Sequence, residues 1–213
     1  MSAVVVGVSS VWAEKPAFCN GLDCPEFEVE TARDPDGDNI EVRQYAPSAW
    51  VSTTIQNVDY SKAGSAAFMK LFAYISGENE TKQKIDMTAP VISKITPGQG
   101  PACESFFTVS FYVPSLQSSP KPTDPTVFLE QKPAMRVAVS QFGGRMSDYE
   151  TKVFPRLEAL ITAIDNKELK IKGGDEPEVY TAGYDSPFRL FNRHNEVWIV
   201  LEEATESSSE LRS

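Results

Sequence analysis

Between positions 61 and 75 the apolar residues Phe68, Leu71, Phe72 and Ile75 fall at i, i+3, i+4 and i+7. That spacing lays one apolar stripe along a helix. Gly77 stops the helix, and a polar loop, Glu78-Asn79-Glu80-Thr81, leads into Met87-Thr88-Ala89-Pro90-Val91. Pro90 has no backbone donor, so the strand predicted from Met87 to Thr96 must start, bulge or lie at an edge there. Upstream, Ile40 to Tyr45 alternates as a strand, Pro47 turns the chain, and Trp50 to Ile55 is rich in Val, Thr and Ile. Downstream, Pro97-Gly98-Gln99-Gly100-Pro101 is a turn cluster. Phe107, Val109, Phe111 and Val113 then alternate with Phe106, Thr108, Ser110 and Tyr112, a strand apolar on one face and partly aromatic on the other.

The segment from Pro114 to Pro125 is rich in proline and serine and reads as a linker. After it the pattern repeats. Val127 to Glu130 is a short strand, and Met135, Val137 and Val139 mark another, ended by Gly143-Gly144. A second amphipathic helix is predicted from about 147 to 166, with Val153, Leu157, Leu160, Ile161 and Ile164 on one stripe and Pro155 kinking its first turns. Gly173-Gly174 precedes a strand from Val179 to Tyr184, and Glu196 to Glu202 is the last. Each half reads strand, strand, helix, strand, strand. Two such units predict an α+β fold, an antiparallel sheet closing toward a distorted β-barrel with two amphipathic helices packed outside it. The pseudo-repeats run over about 39–114 and 126–204, within one domain at 39–204.

A chain of 213 residues, 41% hydrophobic and 23% charged, can bury a core without disulfide staples. Its net charge of −10 argues against a nucleic-acid surface, which needs clustered Lys and Arg. No apolar run approaches the length of a membrane span. Residues 1–13 are short and apolar, and Val11 and Ala13 offer small residues for cleavage before Glu14. This reads as a signal peptide, although no basic region opens it. Residues 14–38 are expected to form an irregular leader, and 205–213 a disordered tail rich in Ser and Glu. Cys19 and Cys24 lie close together as disulfide candidates; Cys103 is either free or pairs with one of them. Asn79-Glu80-Thr81 is a glycosylation sequon expected on a surface loop. These features lean toward a secreted protein; the alternative is a cytoplasmic one with a disordered leader.

Nucleophilic catalysis by a Ser-His-Asp or Cys-His device needs a histidine beside the nucleophile. The chain has one, His194, in a segment that reads as a solvated turn. No phosphate-binding, zinc-protease or G-x-S-x-G motif is present. A non-catalytic binding protein is therefore the expectation.

Four segments in order carry a family resemblance: I-E-V-R-Q-Y-A-P-S-A-W-V (40–51), M-T-A-P-V (87–91), Y-T-A-G-Y-D-S-P (180–187) and N-R-H-N-E-V-W (192–198). Together they resemble the haem-binding protein/SOUL family. The resemblance implies a distorted β-barrel with two helices and a pseudo-twofold repeat. It also implies capture of haem or another tetrapyrrole, a small planar apolar ligand, in a groove along the first helix. The matching positions are Ser65, Phe68 and Phe72, with Arg189 and Arg193 as cations for the propionates. Some members carry a histidine where this chain has Gln44, and an amide is not a useful iron ligand. Weak or absent axial ligation is thus expected, with His194 a weak metal candidate and Met69 and Met87 possible soft ligands. The alternative is an interaction protein that keeps the fold without a tetrapyrrole. Its protein partner would be unidentified, although Leu160 to Asp165 loosely resembles a groove-binding death-motif helix. A small-molecule enzyme is the third reading.

Overall fold

The computed structural model describes residues 15–33, 40–57, 60–96, 105–146, 148–174, 176–186 and 188–204. Residues 1–13, expected to be a signal peptide, Cys103 and the tail from 205 lie outside the described residues. Among the described residues nine strands form one antiparallel sheet: β1 (Phe27–Thr31), β2 (Glu41–Tyr45), β3 (Ser48–Asn57), β4 (Val91–Thr96), β5 (Ser105–Val113), β6 (Val127–Lys132), β7 (Met135–Phe142), β8 (Val179–Gly183) and β9 (Asn195–Val200). Two helices, α1 (Tyr60–Ile75) and α2 (Phe154–Asn166), complete it. The strand order is β1-β2-β7-β9-β8-β4-β5-β3-β6, so the sheet curls into a half-barrel whose edges are β1 and β6.

The repeat in the hydrophobic pattern becomes a symmetry of the sheet. If β2, β3, β4 and β5 are matched to β6, β7, β8 and β9, the order from β2 to β6 reads the same in reverse. Its centre is the β4–β8 pair. The outer strands are exchanged between halves: β2 pairs with β7, and β6 with β3. Each exchange is made by a short proline-containing link, Ala46-Pro47 and Pro133-Ala134. The proline suits a connection that leaves one ladder and joins another.

Alternation along each strand separates a convex from a concave face. On the convex side Ala49, Val51, Val109, Phe111 and Val113 pack against Ala67, Leu71, Tyr74 and Ile75 of α1. Val42, Ala138, Val197 and Ile199 pack against Leu160, Ala163 and Ile164 of α2. The buried side of α1 is turned from the predicted stripe: Ala63 and Ala67 are fully buried, whereas Phe72 is 44% exposed. Two alanines let the helix sit close to the sheet, which swings the larger rings to its flank. α1 ends in paired reverse bonds, Glu78 N–H to Ala73 C=O (3.0 Å) and Gly77 N–H to Tyr74 C=O (3.3 Å), with Gly77 at φ +117. α2 ends the same way, with Leu169 N–H to Ile164 C=O (3.1 Å) and Glu168 at φ 54. A π-helical turn, Tyr149–Val153, precedes α2 and leaves Pro155 in its first turn, where no backbone donor is needed.

Three expectations are corrected here. The leader is not wholly irregular: Phe27–Thr31 is β1, paired with the open side of β2. The strand after α1 begins at Val91, not Met87; Thr88, Ala89 and Pro90 form a buried approach to it. The sequon does not lie on an exposed surface. Asn79 is 2% exposed, and its Nδ2 donates to the carbonyls of Tyr74 (3.0 Å) and Gln83 (2.7 Å). Its Oδ1 accepts from Gln83 N–H and the Thr81 hydroxyl, both at 3.1 Å. The asparagine staples the end of α1 to its loop, and a glycan on Nδ2 would take the hydrogen that serves one of the two donor bonds.

The concave face is closed at one end by a buried polar group. Arg43 of β2 forms a bidentate pair with Glu196 of β9 (3.0 and 3.1 Å) and also bonds Glu41. The same carboxylate accepts from the Trp198 indole (2.7 Å) and the Tyr184 phenol (2.9 Å). Phe18 and Phe27 of the leader lie over the guanidinium, with ring centroids 5.3 and 4.5 Å away. The Cys19–Cys24 disulfide closes the loop behind them. Burial works to raise the Glu196 carboxyl, but hydrogen bonding from His194 and the charge of Arg43 outweigh it and hold the group below its ordinary value. Burial alone would favour loss of the Arg43 proton, yet Glu196 wins and keeps the guanidinium charged.

Two measurements test these assignments. Arg43→Met, which strands Glu196 as an unpaired buried charge, is expected to cost about 3–5 kcal/mol in urea unfolding, and the double variant Arg43→Met/Glu196→Leu to recover part of that loss. With a folded-state value below the unfolded one, the stability from Glu196 is complete above the unfolded carboxyl's range and drains as pH falls through the folded value. The double variant should therefore show a shallower loss of stability in acid. Asn79→Ala is expected to lower stability by about 1–3 kcal/mol through the unsatisfied groups it leaves, read as a shift in denaturation midpoint.

Candidate functional site

The residues that the resemblance gathers into one groove lie on two elements. Ser65 is exposed on α1. Phe68 is half-buried, packed edge-on against Phe111 of β5 with centroids 5.2 Å apart. Phe72 stacks on Phe68 at 6.0 Å with the planes 13° apart, and Met69 beside them is 60% exposed. The flank of α1 therefore carries an exposed ring, Phe72, stacked on a half-buried one, and an exposed thioether. A cleft of about 250 Å³ lies beyond Met69 on the opposite flank of α1, lined by Lys70, Ala73, Tyr74, Pro122 and Val127 among others. Lys70 supplies a cation there, donating to the Thr126 hydroxyl at 2.8 Å with Asp124 at 3.9 Å. Hydrogen bonds from Thr126 hold the Asp124 carboxyl below its ordinary value, so it stays charged. Burial pushes the Tyr74 phenol up to about 12. It remains neutral and donates to the Pro120 carbonyl at 2.7 Å.

Arg189 and Arg193 lie in the connection between β8 and β9. Arg189 donates to Asp185 (2.7 Å) and Asn20 (2.9 Å), and Arg193 to the carbonyls of Ser186 (2.8 Å) and Arg189 (2.9 Å). Their hydrogen bonds hold this connection in shape and tie it to the leader; none reaches α1 among the described residues. The connection nevertheless leaves the sheet near the aromatic pair. Phe111 stands opposite Val91, and Val91 opposite Gly183, the last residue of β8. Two strand spacings, about 10 Å, separate Phe111 from that point of departure.

His194 does not sit in a solvated turn. It is half-buried, stacked on Phe18 with centroids 4.4 Å apart, and its Nε2 is 2.7 Å from Glu196 Oε1. Gln44 pairs with Glu28 and Arg136 in the β1-β2-β7 part of the sheet, away from the strands that α1 covers. Met87 is half-buried against the α1 core. Among the described residues no group of three or more His, Cys, Asp or Glu is placed to hold a metal ion. Leu160 and Ile164 are buried against the sheet, so the apolar side of the death-motif-like segment is already occupied. No helix among the described residues is long and apolar enough to cross a membrane.

Sequence reasoning missed two features. Phe188, Leu190 and Phe191 are 89%, 65% and 79% exposed on the β8–β9 connection. Three large apolar residues in a segment with neither strand nor helix periodicity were the available signal. The second is Lys70, the cation of the cleft on the opposite flank of α1, two positions along the helix from both Phe68 and Phe72.

A family model described as SOUL heme-binding protein matches residues 22–200. Heme-binding protein 2 of Homo sapiens is 38% identical over 190 residues, covering 88% of this chain and 90% of that protein. Heme-binding protein 2 of Mus musculus is 39% identical over 181 residues, covering 84% and 86%. Among solved structures, the C-terminal domain of EcmrR superposes with a TM-score of 0.56 over 76% of this chain and 96% of that one, at 9% identity, a likeness of fold alone. With the four motifs, the mirrored sheet order and these relatives in agreement, the chain belongs to the SOUL heme-binding protein family.

Proposed function

We propose that the protein binds haem or a related tetrapyrrole on the flank of α1, without catalysis and without strong axial ligation. The observation that carries this reading is the Phe72 ring, 44% exposed and stacked on half-buried Phe68, with exposed Met69 beside it. A folded chain leaves such a ring exposed at a cost, because covering a large apolar side chain is worth about 1.5–3 kcal/mol. A planar macrocycle laid over these rings removes that exposure. The names of the relatives support a haem-type ligand. The apolar side chains of Phe188, Leu190 and Phe191 supply a second wall if the ring extends toward the β8–β9 connection. The arginines contribute by holding that connection in shape. His194 is engaged by Glu196 and Phe18, which leaves Met69 as the exposed soft ligand on this flank. A macrocycle without iron should then bind about as well as haemin.

The same exposed loop favours one second reading, an interaction protein that uses Phe188, Leu190 and Phe191 to dock a partner. We also place the protein in an oxidising compartment, where the Cys19–Cys24 bond is stable.

Haemin and metal-free protoporphyrin titrations, followed by Soret absorbance and by porphyrin fluorescence, test the proposal. Saturable one-to-one binding is expected for both, weakened by about tenfold or more in Phe72→Glu, where a charge replaces stacked apolar area. His194→Ala should retain binding. Loss of binding in that variant would make the histidine the ligand. Absence of saturable binding by either macrocycle would leave the interaction protein as the reading.

A further inference from the structure

The concave face is treated differently in the two halves. On the β2–β7–β9 side Phe18, Leu22, Cys24 and Phe27 of the leader pack onto it. On the β3–β6 side a cup of about 340 Å³ stays open, lined by Thr54, Lys94, Thr108, Phe128, Glu130 and Lys132 together with Lys172, Glu178 and Tyr180. Register places these groups on one face. Ser52 stands opposite Phe128, Trp50 opposite Glu130, and Lys94 opposite both Thr108 and Tyr180.

Its charges are paired unequally. Lys94 bonds Glu178 at 2.6 Å, and Lys132 bonds Glu130 at 2.9 Å. Both ammonium groups lie over the Tyr180 ring, 5.9 and 5.7 Å from its centroid, and the Tyr180 hydroxyl donates to Glu178 at 2.6 Å. Although burial opposes it, hydrogen bonds from Lys94 and Tyr180 hold the Glu178 carboxyl ionised, below its ordinary value. Lys172 stands at the rim with no side-chain hydrogen bond or ion pair among the described residues. Three ammonium groups face two carboxylates, so one positive charge is uncompensated. Phe128, Met135 and Val200 supply apolar wall beside it.

We infer that this cup is a second binding site, separate from the α1 flank, for a small monoanionic carboxylate that carries an apolar body. Lys172 takes the carboxylate with Lys94 and Lys132 in support, the Thr54 and Thr108 hydroxyls, bonded to each other at 2.9 Å, have one proton left to donate, and Phe128 covers the apolar part. A single uncompensated charge suits a monoanion; a dianionic phosphate would leave the cup negative. The volume lies at the low end for small-molecule sites, which points to a metabolite-sized ligand, not a macrocycle.

The test is backbone amide chemical-shift mapping of the full chain with benzoate as probe, set beside benzyl alcohol, benzylamine and phenyl phosphate. Benzoate is expected to give saturable shifts centred on Thr54, Thr108, Lys172 and Tyr180. Lys172→Glu, an exposed substitution that leaves the sheet intact, should weaken it about tenfold or more. Shifts confined to α1, indifference to Lys172→Glu, or benzylamine binding as tightly as benzoate would each overturn the assignment. Tighter binding of phenyl phosphate would overturn the monoanion and leave an anion site of higher charge.

Discussion

The Arg43–Glu196 pair is the constraint on which the half-barrel depends. The two residues sit on strands separated by β7, and their side chains meet on the concave face, where water is excluded. Removing two charges from water is expensive, and the attraction repays it only when geometry is good and every remaining donor and acceptor is used. Here Tyr184, Trp198 and Glu41 complete the set, and two leader rings cover the cation. A flatter sheet would pull the bidentate contact apart, leaving Arg43 with Glu41 and Glu196 with its single donors. The pair therefore specifies the curl and the docking of the leader, more than it adds to the net stability of the fold.

That closure divides the molecule. One end of the concave face is filled by aromatic and ionic side chains, and β1 extends the sheet there. The symmetry-related end has no such cover among the described residues and retains a charged cup. On the convex side each helix shields its own half. α1 does so through Ala63, Ala67 and Leu71, which is why its larger rings are left at the flank. The candidate ligand surface is thus a by-product of close helix-to-sheet packing by small residues.

His194 shows how one network reaches several regions. Through Glu196 it belongs to the buried ion pair, through Phe18 to the leader, and by chain position to the β8–β9 connection that carries Phe188, Leu190 and Phe191. Asp185 accepts from Arg189 and Asn20 and ties the same parts together. The exposed apolar tip is consequently mounted on a braced base. A braced tip loses little conformational freedom when it is covered, whether by a ligand or by a partner.

Local chemistry determined much of this protein. Period-two and period-3.6 patterns located the strands and both helices, the repeat of those patterns implied two like halves, and four motifs carried the family. The apolar character of Phe68 and Phe72 was legible, as was the closeness of Cys19 and Cys24. The tertiary structure decided what pattern cannot encode. Strand exchange between halves depends on long-range pairing, since β2 could have paired with β3 as a hairpin. Helix rotation depends on the fit of alanines against a particular sheet, so Phe72, one of the residues on the predicted apolar stripe, lies at the flank in the fold. Asn79 reads as a surface sequon, yet is buried because Tyr74 and Gln83 offer it carbonyls. Arg43 and Glu196 are ordinary polar residues on alternating strands until the curl brings them together. Contacts between residues distant along the chain leave no periodicity, and those contacts set the interior charge and both candidate sites.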